Sequence, residues 1–86
     1  MNINDLIAIV KKKLEDEIVI EKINIEDKSF LHKNHSGHQE GKFHLKLIIS
    51  SVALRKLNRI ESNKKNYKVL YQEMKANIHS LQILIS

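Results

Sequence analysis

A chain of 86 residues, 42% of them hydrophobic, can build one modest core but no deep enclosed active site, because at this size only roughly 60% of the unfolded surface is buried. It has no cysteine, which excludes disulfides and any all-thiolate metal site within the chain; a metal here would need histidine, carboxylate or a partner's ligands. The formal charge of +5 is unevenly spread, with Arg55, Lys56, Arg59, Lys64, Lys65 and Lys68 opposed only by Glu61 between residues 52 and 68.

The start reads as an amphipathic helix rather than a signal peptide. Its apolar run from Leu6 to Val10, the longest in the chain, falls far short of the ~20 residues of a membrane span, so a cytoplasmic protein with no membrane contact is expected. Ile3, Leu6, Ile7, Val10 and Leu14 recur at offsets of three and four, which predicts a helix over 3–15. Asn2 or Asn4 can cap it, Asp5 suits its first turn and Lys11, Lys12 and Lys13 its end. Glu15, Asp16 and Glu17 then predict an acidic turn.

From Ile18 the apolar spacing changes to two and slips once at Glu21-Lys22, predicting a strand over 19–28 preceded by a bulge or a short lead-in. Residues 29–41 hold both glycines and three of the five histidines and predict a loop. Phe43, Leu45, Leu47 and Ile49 alternate cleanly, predicting a strand over 42–50 with His44 and Lys46 on its other face. Leu57, Ile60, Lys64, Tyr67, Leu70, Tyr71 and Met74 mark a second amphipathic helix over 56–75, broken near Ser62-Asn63 and stopped by Asn77. A last strand follows, with Leu81, Ile83 and Ile85 on one side, Ser80, Gln82 and Leu84 on the other, and His79 at its mouth. The order α-β-β-α(α)-β predicts a single α+β domain over 1–86, in which a hairpin and a helical crossover give a small three-stranded mixed sheet with helices packed on one face.

The candidate chemistry rests on His32, His35, His38, His44 and His79, since imidazole is the one borderline-soft ligand available apart from two methionines. Alone, the loop histidines read equally as incidental exposed residues, and His79 as a hydrogen-bonded histidine at a strand edge. Together, His79 and one loop histidine would supply two ligands, too few for a closed zinc site and enough for half of a shared one. No nucleophile elbow, phosphate loop or dinucleotide fingerprint is present, and Glu26 and Asp27 point to opposite faces of their strand, so an enzyme is not expected. The basic stretch reads as a solvated face, a surface for an acidic protein, or a nucleic-acid contact.

Asp27-x-Ser29, a His-bearing glycine loop, His44-Leu45-Lys46-Leu47-Ile48-Ile49-Ser50-Ser51, Tyr67 and, twelve positions later, His79 in Ile-His-Ser-Leu together resemble the BolA-like family over nearly the whole chain. The most specific piece is the C-terminal His-small-Leu after an amphipathic helix. The resemblance implies a fold similar to the class II KH domain and a non-enzymatic role as partner of monothiol glutaredoxins in iron-sulfur cluster handling and iron or redox regulation. It implies that His79 and a loop histidine, best His32 with His35 next, ligate one iron of a bridging [2Fe-2S] cluster, while a glutaredoxin cysteine and a glutathione thiolate hold the other. Two imidazoles opposite two thiolates would raise the cluster's potential over an all-thiolate one. No cluster is implied for the isolated chain, and a weak homodimer is left open.

The chain departs from the family pattern where Arg-His-Arg is usual and Ser62-Asn63-Lys64 stands, and where Phe-x-Gly is usual and Leu54-Arg55-Lys56 stands. The alternative expectation is a DNA-binding transcriptional regulator using Arg55, Lys56, Arg59, Lys64 and Lys65. No glycine follows Gly41, so the Gly-x-x-Gly clamp of KH domains is missing and such binding would be mainly electrostatic and salt-dependent. A third expectation is a protein-interaction domain with neither metal nor nucleic acid.

Overall fold

The first helix, α1 (Ile3–Glu17), begins where Asn2 Oδ1 accepts the Asp5 N–H at 2.8 Å, and it buries Leu6, Val10 and Leu14 at four-residue spacing. It continues through the acidic residues read as a turn. Ile18 is buried in the same core and donates its N–H to the Leu14 carbonyl at 2.9 Å, which extends the last turn. The exposed Lys12–Asp16 pair, 3.0 Å apart, offsets part of the unfavourable negative charge at the helix C-terminus.

This computed structural model describes residues 2–29 and 42–86. Strand β1 (Lys22–Asp27) is shorter than the predicted 19–28, and its lead-in contains no bulge. Val19 points to solvent while its carbonyl accepts the Ser51 hydroxyl at 2.7 Å, and Glu21 N–H reaches the Ser50 carbonyl at 2.9 Å. Strand β2 (Phe43–Ser50) pairs antiparallel with β1, from Lys22↔Ser50 to Asp27↔Leu45, and parallel with β3 (Ile78–Ile85). The sheet order β1-β2-β3 makes β2 central, and the result is the small α+β domain with a mixed three-stranded sheet that the sequence predicts. Leu45, Leu47 and Ile49 of β2 meet Leu6, Val10, Leu14, Leu54 and Leu70 in one core on the helical side. His44, Lys46 and Ile48 occupy the opposite, open face beside Ser80, Gln82 and Leu84.

The crossover is three helical pieces: α2 (Val52–Arg55), α3 (Arg59–Val69) and α4 (Tyr71–Ala76). Ser51 caps α2 by accepting the Leu54 N–H, and Asn58 caps α3 by accepting the Glu61 N–H at 2.8 Å. The breaks therefore fall at 56–58 and at Leu70, not at Ser62-Asn63.

The expected apolar stripe is also corrected. Ile60, Tyr67 and Tyr71 are exposed, and the inward positions are Ser62, Asn66, Leu70 and Glu73. These buried polar groups are only partly satisfied: Asn66 Nδ2 donates to the Ser62 carbonyl at 2.9 Å and Glu73 takes Lys13 Nζ of α1 at 2.6 Å, while Ser62 Oγ, Asn66 Oδ1 and Glu73 Oε1 have no hydrogen-bond partner among the described residues. Among the described residues no helix is long and apolar enough to cross a membrane.

Candidate functional site

The site begins with an irregularity in β3. Phe43 pairs with Ile78, but the next residue, His44, pairs with Ser80, so His79 is the extra residue of a β-bulge. Strict alternation counted back from Leu81 would turn His79 toward the core. The bulge reverses this: Ile78 and Leu81 both face inward, and His79 and Ser80 are both exposed.

His79 stacks on His44, with ring centroids 4.8 Å apart and planes 25° from parallel. His44 is itself buried, and its Nδ1 is 2.7 Å from Ser80 Oγ in the cross-strand position. Its backbone is held from the other side of the sheet. The Ser29 hydroxyl accepts the His44 N–H at 3.0 Å, the His44 carbonyl accepts the Lys28 N–H at 2.7 Å, and Asp27 Oδ1 accepts the Ser29 N–H at 2.9 Å. Asp27-x-Ser29, His44 and His79-Ser80, which are far apart in sequence, thus form one structure.

Chemically this is an exposed imidazole on a fixed support in a chain without thiols. Among the described residues no group of three or more His, Cys, Asp or Glu could hold a metal ion. The expected loop ligands His32 and His35, with His38, lie outside the described residues. His44 is legible in the sequence as an open-face residue but not as the support of His79. The sequence signal for it is the polar pair His79-Ser80 between two inward residues, Ile78 and Leu81, which a regular strand does not produce.

Arg55, Lys56, Arg59, Lys64 and Lys65 are all exposed, yet they do not make one surface. Arg55 and Arg59 border a groove against Ile83–Ile85 of β3. Lys64, Lys65 and Lys68 border a cleft facing Lys13, Asp16 and Glu17 of α1. Tyr67, the one aromatic residue interleaved with them in sequence, donates its hydroxyl to the Leu81 carbonyl at 3.1 Å.

Known proteins resemble the chain in both sequence and fold. The family model described as BolA-like protein matches residues 14–86. SufE-like protein 1, chloroplastic/mitochondrial, of Arabidopsis thaliana is 29% identical over 80 residues, covering 87% of this chain but only 22% of that protein's length. The DNA-binding transcriptional regulator BolA of Haemophilus influenzae is 25% identical over 75 residues, covering 87% of this chain and 70% of the relative. Among solved structures, the BolA domain of SufE1 from Arabidopsis thaliana superposes with a TM-score of 0.78 at 26% identity, over 100% of this chain and 93% of that one. BolA1 from Arabidopsis thaliana, at 24% identity, matches in fold with a TM-score of 0.75 over 92% of this chain and 87% of that one.

Proposed function

The chain belongs to the BolA-like family, and from that premise we propose that it is a non-enzymatic adaptor that pairs with a monothiol glutaredoxin and lends imidazole to a shared [2Fe-2S] cluster, in iron-sulfur trafficking or iron and redox regulation. The observation that carries this reading is His79, expelled from the core by a bulge and backed by His44 in a cysteine-free chain. His79 would be one ligand and His32 or His35 the other, with the glutaredoxin cysteine and a glutathione thiolate opposite. When bound, such a cluster supplies a one-electron centre whose potential the imidazoles raise. This chain's own residues orient the donor: the bulge turns His79 outward, His44 limits its tilt, and Ser80 fixes His44.

Mixing the protein with a monothiol glutaredoxin, glutathione, iron and sulfide tests the reading. Absorption and circular dichroism distinct from those of glutaredoxin alone are expected. A spectrum matching the glutaredoxin homodimer, with no complex formed, overturns it.

A substitution behind the ligand should also register. His44→Ala is expected to weaken the loaded complex at least tenfold, the usual scale for losing a group that orients a metal-bound histidine, whereas His44→Phe keeps a stacked ring and most of the affinity. Titration of each variant with loaded glutaredoxin separates the two. Equal affinity for both would remove His44 from the site.

Duplex DNA is the second reading, supported by the name of the Haemophilus relative and by the exposed Lys64, Lys65 and Lys68 on α3. If it holds, anisotropy titrations should show affinity falling steeply with salt, and Lys64→Glu with Lys65→Glu should flatten the log–log slope by about 2, near 0.9 for each phosphate no longer neutralised. An unchanged slope would dismiss α3 as the DNA surface.

A further inference from the structure

The far end of β3 has an open edge. β3 is an outer strand, with no strand beyond it among the described residues. Ser86 donates its N–H to the Ile49 carbonyl at 2.8 Å where Ile49 pairs with Ile85, so the even-numbered residues turn their peptide groups toward β2. Those of Leu81, Ile83 and Ile85 therefore turn away from the sheet. The Tyr67 hydroxyl occupies the outward Leu81 carbonyl, while Ile83 and Ile85 have no partner on that side among the described residues.

Beside this edge runs the groove bordered by Leu57, Ser62 and Asn63, with Arg55 and Arg59 on its rim. No carboxylate lines it. Arg55 donates to the Ser86 carbonyl, which holds its guanidinium over the end of the strand.

We propose that this groove takes an extended acidic peptide segment of a partner protein, added as a fourth strand along Ile83–Ile85 with its carboxylates against Arg55 and Arg59. Main-chain pairing would give affinity and the arginines would give specificity. Nucleic acid fits less well. No aromatic side chain lines the groove to stack a base, and the turn Lys56-Leu57-Asn58 has no glycine to let a phosphate approach the backbone. A second copy of the chain fits less well too, because edge-to-edge pairing would bring the arginines of both copies together.

The site does not depend on the cluster reading. His79 opens β3 and the proposed edge closes it, a separation of roughly 13–20 Å at about 3.3 Å per residue. One small domain could thus bind two partners, or two parts of one partner, along a single strand.

The experiment titrates a blocked hexapeptide of alternating glutamate and valine, and its lysine counterpart, into 15N-labelled full chain, followed by amide shifts and hydrogen exchange. The expected result is shifts confined to Leu57, Arg59 and Ile83–Ile85 with the acidic peptide alone, slowed exchange of the Ile83 and Ile85 amides, and at least tenfold weaker binding for Arg59→Glu. N-methylation of alternate peptide residues should abolish binding, and His79→Ala should leave it unchanged.

Shifts that spread elsewhere, or binding that tolerates N-methylation, would overturn the proposal. So would protection of the same amides by a short oligothymidylate but not by the peptide, which would make the groove a nucleic-acid site. Protection that grows with protein concentration without peptide would assign it to a second copy and overturn it equally.

Discussion

Replacing His79 by alanine is expected to abolish the spectrum of the cluster shared with glutaredoxin while leaving the domain folded. The two halves of this expectation have separate physical causes. His79 is exposed, outside the hydrophobic core, and the extra residue of a bulge, so its truncation removes a stacked ring and little else. A surface change of this kind alters stability by about 0.5 kcal/mol or less.

The loss of the spectrum follows because the chain has no thiol to substitute for the missing imidazole. Absorption should revert to that of glutaredoxin alone, with far-ultraviolet dichroism and the thermal midpoint nearly unchanged. His79→Cys should recover a cluster with shifted bands, since thiolate replaces imidazole. An unaltered spectrum in His79→Ala would mean that the donors lie elsewhere.

Several elements are legible in the sequence because one simple period governs them. Leu6, Val10 and Leu14 announce α1, Asn2 caps it, and Phe43, Leu45, Leu47 and Ile49 announce β2 and assign His44 to the open face. Periodicity misplaces the crossover because polar residues turn inward there. Counting hydrophobic residues puts Ile60 and Tyr71 on the buried side, and no hydrophobic pattern marks Ser62 or Asn66 as core.

The candidate site is half legible. His79 stands out as a histidine at the mouth of a strand, but its outward direction depends on a bulge, and its stacking on His44 depends on the register between strands more than thirty residues apart. The basic stretch fails differently. Arg55 and Arg59 line the groove beside β3, whereas Lys64, Lys65 and Lys68 line the cleft toward α1, so the run of positive charge is divided between two places.

That corrected phase of α3 carries the second large expectation. Leu47→Ala should cost about 2–5 kcal/mol, since Leu47 is fully buried in the central strand and flanked by Ile25 and Ile83, leaving little freedom for the cavity to collapse. Domains have only about 5–15 kcal/mol in total, so in urea the transition should move sharply to lower denaturant and could vanish at room temperature. Ile60→Ala, which the sequence stripe would rank beside it, should change stability by about 0.5 kcal/mol or less: the side chain is 68% exposed, and alanine's better helix propensity offsets part of the packing that isoleucine provides. The pair of urea curves therefore reads the rotation of α3 directly. If Ile60→Ala proved as damaging as Leu47→Ala, the helix would be turned by roughly half a circle. Ser62 and Asn66 would then face solvent, and the groove that Ser62 and Asn63 form with Ile83–Ile85 would lose one of its walls.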